Sequence, residues 1–164
     1  MLVAIISDIH DNLTNLWQCL AWCNKQKVKT IICCGDLTND DTLEVLTTGF
    51  KGDIHLIKGN ADSFDERKIA GYKNIKYYDR AGGRILIDGL VIGFCHEPFL
   101  YKKLIEKEKF DLIFYGHTHK PWESNEKGTR LINPGTLSGM FLKSTFAVLD
   151  SETGEVSLKI LEEM

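Results

Sequence analysis

The stretch LVAIISDIHDNLTNLWQCLAWCNKQKVKTIICCGDL, residues 2–37, decides the architecture. Leu2 to Ser7 is a short apolar run rich in β-branched residues, which reads as a buried strand. From Leu13 to Lys25 the apolar positions fall at Leu13, Leu16, Trp17, Leu20 and Ala21, the spacing of one helix face. Thr30 to Cys34 is again an apolar run. A strand, helix and strand in this order join parallel strands through a crossover. Neighbours on a strand point to opposite faces, so Cys33 and Cys34 are expected on opposite sides of a buried strand.

The alternation continues with a helix expected over Thr42 to Thr48 and a strand over Asp53 to Lys58, giving β-α-β-α-β. After a charged loop, residues 62–74, the pattern changes to consecutive strands at Ile75 to Tyr78, Arg84 to Asp88 and Val91 to Cys95. An Asp88-Gly89 turn joins the last two. A helix at Phe99 to Lys109, strands at Asp111 to Tyr115 and Arg130 to Asn133, and a hairpin pairing Ser144 to Asp150 with Glu155 to Leu161 complete the chain. The pattern predicts a mixed α/β (α+β) fold with helices outside the sheets, as one domain over residues 1–164.

Twenty Lys and Arg against 23 Asp and Glu leave a charge of -3, and 43% of residues are hydrophobic. This excludes disordered and polybasic chains and gives no field for holding a long polyanion. No apolar run approaches the ~18 residues that a membrane span requires. The start of the chain has no basic segment and no cleavage site of a secretory signal, so a cytoplasmic location is expected. The five cysteines read as reduced core thiols.

The polar residues are not scattered. Asp8-Ile9-His10, Gly35-Asp36, Gly59-Asn60-Ala61-Asp62, His96-Glu97 and Gly116-His117-Thr118-His119 each follow an apolar strand. Ligand sites in α/β sheets form beyond the carboxyl ends of strands, so these segments are expected to converge. His55 lies inside a strand and reads as a half-buried structural residue. Asp8 with His10, and His117 with His119, are two residues apart and leave an extended chain on one face. Imidazole and carboxylate together suit transition metals better than Mg2+ or Ca2+. Asp8, His10, Asp36, Asn60, His96, His117 and His119 offer seven side chains, more than the roughly four to six that one ion uses. A pair of ions fits better, and a single Asp such as Asp36 can bridge them.

At these residues the sequence resembles the calcineurin-like metallophosphoesterases, in particular their small bacterial and archaeal phosphodiesterase branch. The blocks occur in the family's order across most of the chain, and Asn133-Pro134-Gly135-Thr136 is similar to the turn that follows the last histidine block. The resemblance implies a four-layer αββα sandwich of two mixed sheets flanked by helices. It implies one metal held by Asp8, His10, Asp36 and His119, and a second by Asp36, Asn60, His96 and His117. Two divalent transition-metal ions are expected, manganese first, with nickel, iron, cobalt and zinc also compatible. The implied reaction is in-line attack of a bridging hydroxide on a small phosphodiester or phosphomonoester, with Asp36, Asn60 and His10 as catalytic residues. Charge arithmetic favours the diester: about four positive charges, less two aspartates and a hydroxide, leave roughly one to meet a monoanion.

Three departures from the family pattern stand out. Ala61 occupies a position where many relatives carry a histidine beside the leaving group, which predicts a preference for acidic leaving groups, or reliance on water or on His10. Glu97 follows His96 in place of the usual Gly-His; of its two roles, orienting an imidazole or sitting at a helix start, the second is preferred. Asp11 stands where glycine is usual, and Asn12 reads as a helix cap.

The rival reading is a protein-interaction scaffold, since the retromer coat has a subunit of this fold that has lost metal-ligand histidines. This chain keeps all that can be placed. A thiolate enzyme at Cys95-His96 is disfavoured because strand neighbours diverge. A nuclease lacks a basic stripe, and Trp17, Trp22 and Tyr101 read as packing residues. A homo-oligomer is compatible with the sequence.

Overall fold

The computed structural model describes residues 1–164. Eleven strands form two sheets. The first contains β1 (Leu2–Ile6), β2 (Thr30–Cys33), β3 (Asp53–Ile57), β4 (Ile75–Tyr78), β10 (Thr145–Asp150) and β11 (Glu155–Ile160), in the order β11-β10-β1-β2-β3-β4. The second contains β5 (Gly83–Ile87), β6 (Leu90–Phe94), β7 (Leu112–Phe114), β8 (Trp122–Glu126) and β9 (Thr129–Asn133), in the order β5-β6-β7-β9-β8. Helices α1 (Leu13–Lys25) and α2 (Asp40–Gly49) cover the first sheet, and α3 (Pro98–Lys107) covers the second.

Strand parity builds the four layers. Val3 and Ile5 of β1, with Ile32, Cys34 and Ile57, meet Ile92, Phe94, Phe114 and Ile132 between the sheets. Ala4, Ile6 and Cys33 face the other way, onto Leu16, Leu20 and Leu43 of the helices. Cys33 and Cys34 therefore do lie in different layers, and all five cysteines are buried and unpaired. On the far side Cys95, Ile113 and Leu131 pack against Leu100 and Leu104 of α3. Full burial of each such side chain contributes about 1.5–3 kcal/mol.

Asn12 caps α1 by accepting the N–H of Asn15 at 3.1 Å. Asp88 and Gly89 both adopt positive φ, 48° and 87°, and turn β5 into β6.

β4 pairs parallel with β3 in the first sheet, so the change of sheet falls between β4 and β5. Two features are absent from the sequence reading. Strand β8 is missing from the reading because Trp122, Glu123, Ser124 and Asn125 are all exposed on a sheet edge and show no alternation. The loop 62–74 contains a 3-10 helix, Glu66–Gly71, with no buried residue to mark it.

β1, β2 and β3 run parallel, as do β6, β7 and β9. The loops that leave these strands carry the polar clusters.

Candidate metal centre

Short backbone bonds lock these loops together. The N–H of Asp8 donates to the carbonyl of Gly35 at 3.0 Å, and that of His10 to Asp36 at 3.0 Å. Beyond the second sheet the N–H of Gly116 donates to the carbonyl of His96 at 3.0 Å, and the N–H of Ser138, in the segment leading from β9 to β10, donates to that of Asp8 at 3.0 Å. The approach leaves no room for side chains: a Cβ on Gly116 would lie 2.0 Å from Oγ of Ser7, and one on Gly59 2.1 Å from Oδ1 of Asp36.

All seven residues singled out in the sequence meet here. Nε2 of His10 lies 3.1 Å from Nε2 of His119, and 3.7 Å from both Oδ1 of Asp8 and Oδ2 of Asp36. Nε2 of His119 is 3.2 Å from the same Asp8 oxygen. On the other side of Asp36, Nε2 of His96 is 3.3 Å from its Oδ2 and 2.9 Å from Oδ1 of Asn60, while Nδ1 of His117 is 2.8 Å from that amide oxygen. Asp8, Asp36 and His96 form a buried floor; Asn60 and His117 lie exposed on the rim.

The donor set fits a cation. Oδ1 of Asp8 is fully buried and accepts no hydrogen bond, an arrangement that costs several kcal/mol for an uncompensated charge. Nδ1 of His96 donates to the carbonyl of Cys34 at 2.7 Å, which turns Nε2 toward two oxygens. A nitrogen so placed carries a proton or shares a cation. Burial opposes charge on His96, but Asp36 outweighs it and lifts its pKa; the Asp8 carboxylate, 3.7 Å away, lifts that of His10. Burial also opposes ionisation of Asp36, yet contact with His96, the N–H of Ala61 and the charge of His10 hold it below the usual carboxylate range. Asp8, His10 and His119, and Asp8, Asp36 and His96, are the triads whose ligand atoms all lie within 4.8 Å of one another.

Five of the seven residues, Asp8, His10, Asp36, His117 and His119, hold positive φ between 44° and 69°. For side chains other than glycine this costs about 1–3 kcal/mol each, and it persists where the surroundings over-determine it. The residues that do so had no assigned role in the sequence reading. Asp62 accepts from the N–H groups of Gly59 (2.7 Å), Asp36 (3.2 Å) and Thr38 (3.0 Å), tying two loops. Burial pushes its pKa up against those bonds. Ser7 donates to Oδ2 of Asp8 at 2.6 Å. Thr136, in the Pro-Gly turn, donates to the carbonyl of Asp8 at 2.8 Å, and Asn133 to that of Gly116 at 2.9 Å. Their positions beside the ligand blocks were the available signal.

Glu97 stands at the start of α3, as preferred in the sequence reading, but makes no side-chain capping bond; its buried carboxylate pairs with Arg80. Both Asn12 side-chain groups are used within the fold, by the Asn15 N–H and the Ser138 carbonyl. Trp17 is half exposed, with its ring against Gly49 of α2; Trp22 packs edge-on against Phe146, and Tyr101 lies tilted against Tyr115. His55 is half-buried in β3, 2.8 Å from the Tyr78 hydroxyl and apart from the centre.

A two-sheet sandwich with carboxylate, imidazole and amide donors gathered at its strand ends defines a metal-binding α/β class. Within it, the chain belongs to the calcineurin-like phosphoesterase superfamily, whose domain model matches residues 1–154, and so to the hydrolases of phosphoric esters. It is 26% identical to the phosphodiesterase MJ0936 of Methanocaldococcus jannaschii, over 99% of this chain and all of that one. A solved structure described as a novel archaeal phosphodiesterase superposes with a TM-score of 0.85 at 26% identity, covering 98% and 99% of the two chains. The zinc complex of Vps29 from Entamoeba histolytica shares the fold, with a TM-score of 0.68 at 20% identity over 97% of each chain.

Proposed function

We propose that this protein is a binuclear metal-dependent phosphodiesterase acting on small diesters. The carrying observation is the position of Asp36, whose Oδ2 lies 3.7 Å from Nε2 of His10 on one side and 3.3 Å from Nε2 of His96 on the other. Asp8, His10, Asp36 and His119 would hold one ion; Asp36, Asn60, His96 and His117 would hold the other. Manganese is the first candidate, with nickel, iron, cobalt and zinc compatible with the same donors. When bound, such ions supply Lewis acidity toward phosphoryl oxygens and bring the pKa of water toward neutrality, which provides the nucleophile for in-line displacement.

The chain's own residues set the conditions for this. Asp8 and Asp36 leave about two of four cationic charges uncompensated, so an anionic ester is drawn to the rim. The Cys34 carbonyl fixes the His96 ring by accepting from its Nδ1 at 2.7 Å. Asn60, on the exposed edge, presents a neutral oxygen that adds no negative charge where the substrate enters. His10 is partly exposed, and its Nε2, which faces Asp8 and Asp36, would be spent on the first ion. No nucleophilic side chain is required: the five thiols are buried, and burial pushes those of Cys33 and Cys34 up. Buried unpaired thiols also agree with a reducing, cytoplasmic setting, and no helix is long and apolar enough to cross a membrane.

The test is hydrolysis of bis-p-nitrophenyl phosphate by protein reconstituted with Mn2+, beside Asp36→Ala. Loss of turnover in the variant is expected, with metal per chain falling from two. Equal rates in both proteins would remove the enzymatic reading in favour of a scaffold.

A further inference from the structure

The metal centre is a shallow rim, and the molecule's cavities are lined elsewhere. An ester bound there needs a second surface for its organic part. The chain supplies one in the tip Met140-Phe141-Leu142, where the side chains are 48%, 96% and 46% exposed.

The base of this tip is fixed to the centre. Ser138, buried, donates its N–H to the carbonyl of Asp8 at 3.0 Å, and its own carbonyl accepts from Asn12 at 2.8 Å and Asn15 at 3.3 Å. Its hydroxyl accepts the N–H of Met140 at 3.3 Å. The return side is held where Ser144 accepts from Asn15 at 2.7 Å. Three residues of chain span at most about 11 Å, so Phe141 stands within about 14 Å of the Asp8 carbonyl that Ser138 bonds at 3.0 Å. An aryl substituent on a phosphorus held at the rim and the Phe141 side chain together can bridge that span.

Folding gives no reason for a phenylalanine there. It buries almost nothing, and its φ of 64° is a conformation that glycine or asparagine adopts at lower cost. Three contiguous exposed apolar side chains beside a polar centre mark a contact surface. We infer that Phe141, flanked by Met140 and Leu142, is a specificity-determining residue that packs against an aromatic substituent of the diester. This rests on the phosphodiesterase reading and adds a substrate class to it.

The experiment keeps one leaving group and changes the other ester. Mn2+-loaded protein is assayed on p-nitrophenyl phenyl phosphate and on methyl p-nitrophenyl phosphate. Phe141→Asn removes the ring while suiting the backbone, so its melting temperature should not fall. The variant should lower the phenyl-to-methyl ratio of kcat/KM about tenfold relative to wild type, mainly through KM. Leu86→Ala, which removes an apolar side chain 62% exposed on edge strand β5, should leave the ratio as it is. A ratio unchanged in Phe141→Asn, with wild type active, overturns this inference alone. Wild type inactive on both esters removes the phosphodiesterase reading and the inference with it.

Discussion

Nε2 of His96 lies 3.3 Å from Oδ2 of Asp36, while the other nitrogen of the same ring is held by the Cys34 carbonyl at 2.7 Å. The ring is thus aimed by backbone at a carboxylate with which it would share an ion. Metal binding should therefore stabilise the native state. With Mn2+ at a hundredfold excess over Kd, linkage gives about 2.7 kcal/mol, or a rise in Tm of roughly 5–10 °C for a chain of this size. Calorimetry of metal-free and loaded protein measures it, and Asp36→Ala should show almost no rise.

Asp8 offers a sharper separation of stability from function. Its Oδ1 is buried and unbonded, whereas Oδ2 accepts from Ser7 at 2.6 Å and from the N–H of His117 at 3.0 Å. Asparagine keeps an acceptor for those donors and removes the unpaired charge. Metal-free Asp8→Asn should melt no lower than wild type. Its Mn2+-dependent rise in Tm should vanish, and diester turnover should fall by at least about a hundredfold. A variant that melted well below wild type without metal would mean that Asp8 is chiefly a structural residue.

Much of this was legible because the fold has strong periodicities where it matters. α1 carries its apolar face at helical spacing, and the parallel strands are short apolar runs that end in coordinating residues. What escaped had no such signal. β8 is an exposed edge, so Trp122 to Asn125 show neither alternation nor burial. β4 reads as a strand, but nothing local says that Ile75 pairs with Ile54 rather than opening the next sheet. In the site, the ligand types announced themselves, whereas Asp62 acts through backbone N–H groups that any sequence possesses. The role of Glu97 depended on Arg80, 17 positions earlier in the chain and invisible as a partner without coordinates.

Gly59 carries a prediction of its own, since a Cβ there would lie 2.1 Å from Oδ1 and 2.4 Å from the backbone N of Asp36. The atoms it would displace are the Asp36 carboxylate and its own backbone, neither able to swing away. Gly59→Ala should cost about 1–3 kcal/mol and lower Tm by roughly 3–10 °C. Metal affinity should fall further than stability does, because Asp36 is the group pushed aside. Gly71→Ala, where a Cβ meets nothing within 4 Å and φ is not positive, is the control for the general cost of losing a glycine.

His55 sets a pH dependence away from the centre. Burial lowers its pKa, reinforced by Lys76, so the folded state takes up a proton less readily than the unfolded chain does. Stability is then full above the ordinary histidine value of about 6.5 and declines as pH falls from there toward the lowered folded value. His55→Gln should flatten this part of the Tm profile relative to wild type. The His10 and His96 contributions run the opposite way and are common to both proteins, so they cancel in the difference. Proton NMR of the His55 ring should titrate below the ordinary value; a midpoint above it would contradict the assignment.

Ala61 leaves the reaction without an evident acid for its leaving group. Its N–H donates to Oδ1 of Asp36 at 2.8 Å, so the backbone at this position is set by the centre while the methyl group contributes no proton. Leaving groups should therefore depart largely on their own acidity, and rates across diesters from p-nitrophenyl to alkyl should fall steeply. A flat series, with chemistry limiting, would show that another group, such as His10, already protonates the leaving oxygen. Ala61→His retains the backbone bond to Asp36 and adds an imidazole beside it. It should accelerate alkyl leaving groups by about a hundredfold and p-nitrophenoxide by much less, since general acid catalysis contributes most where the departing oxygen is most basic.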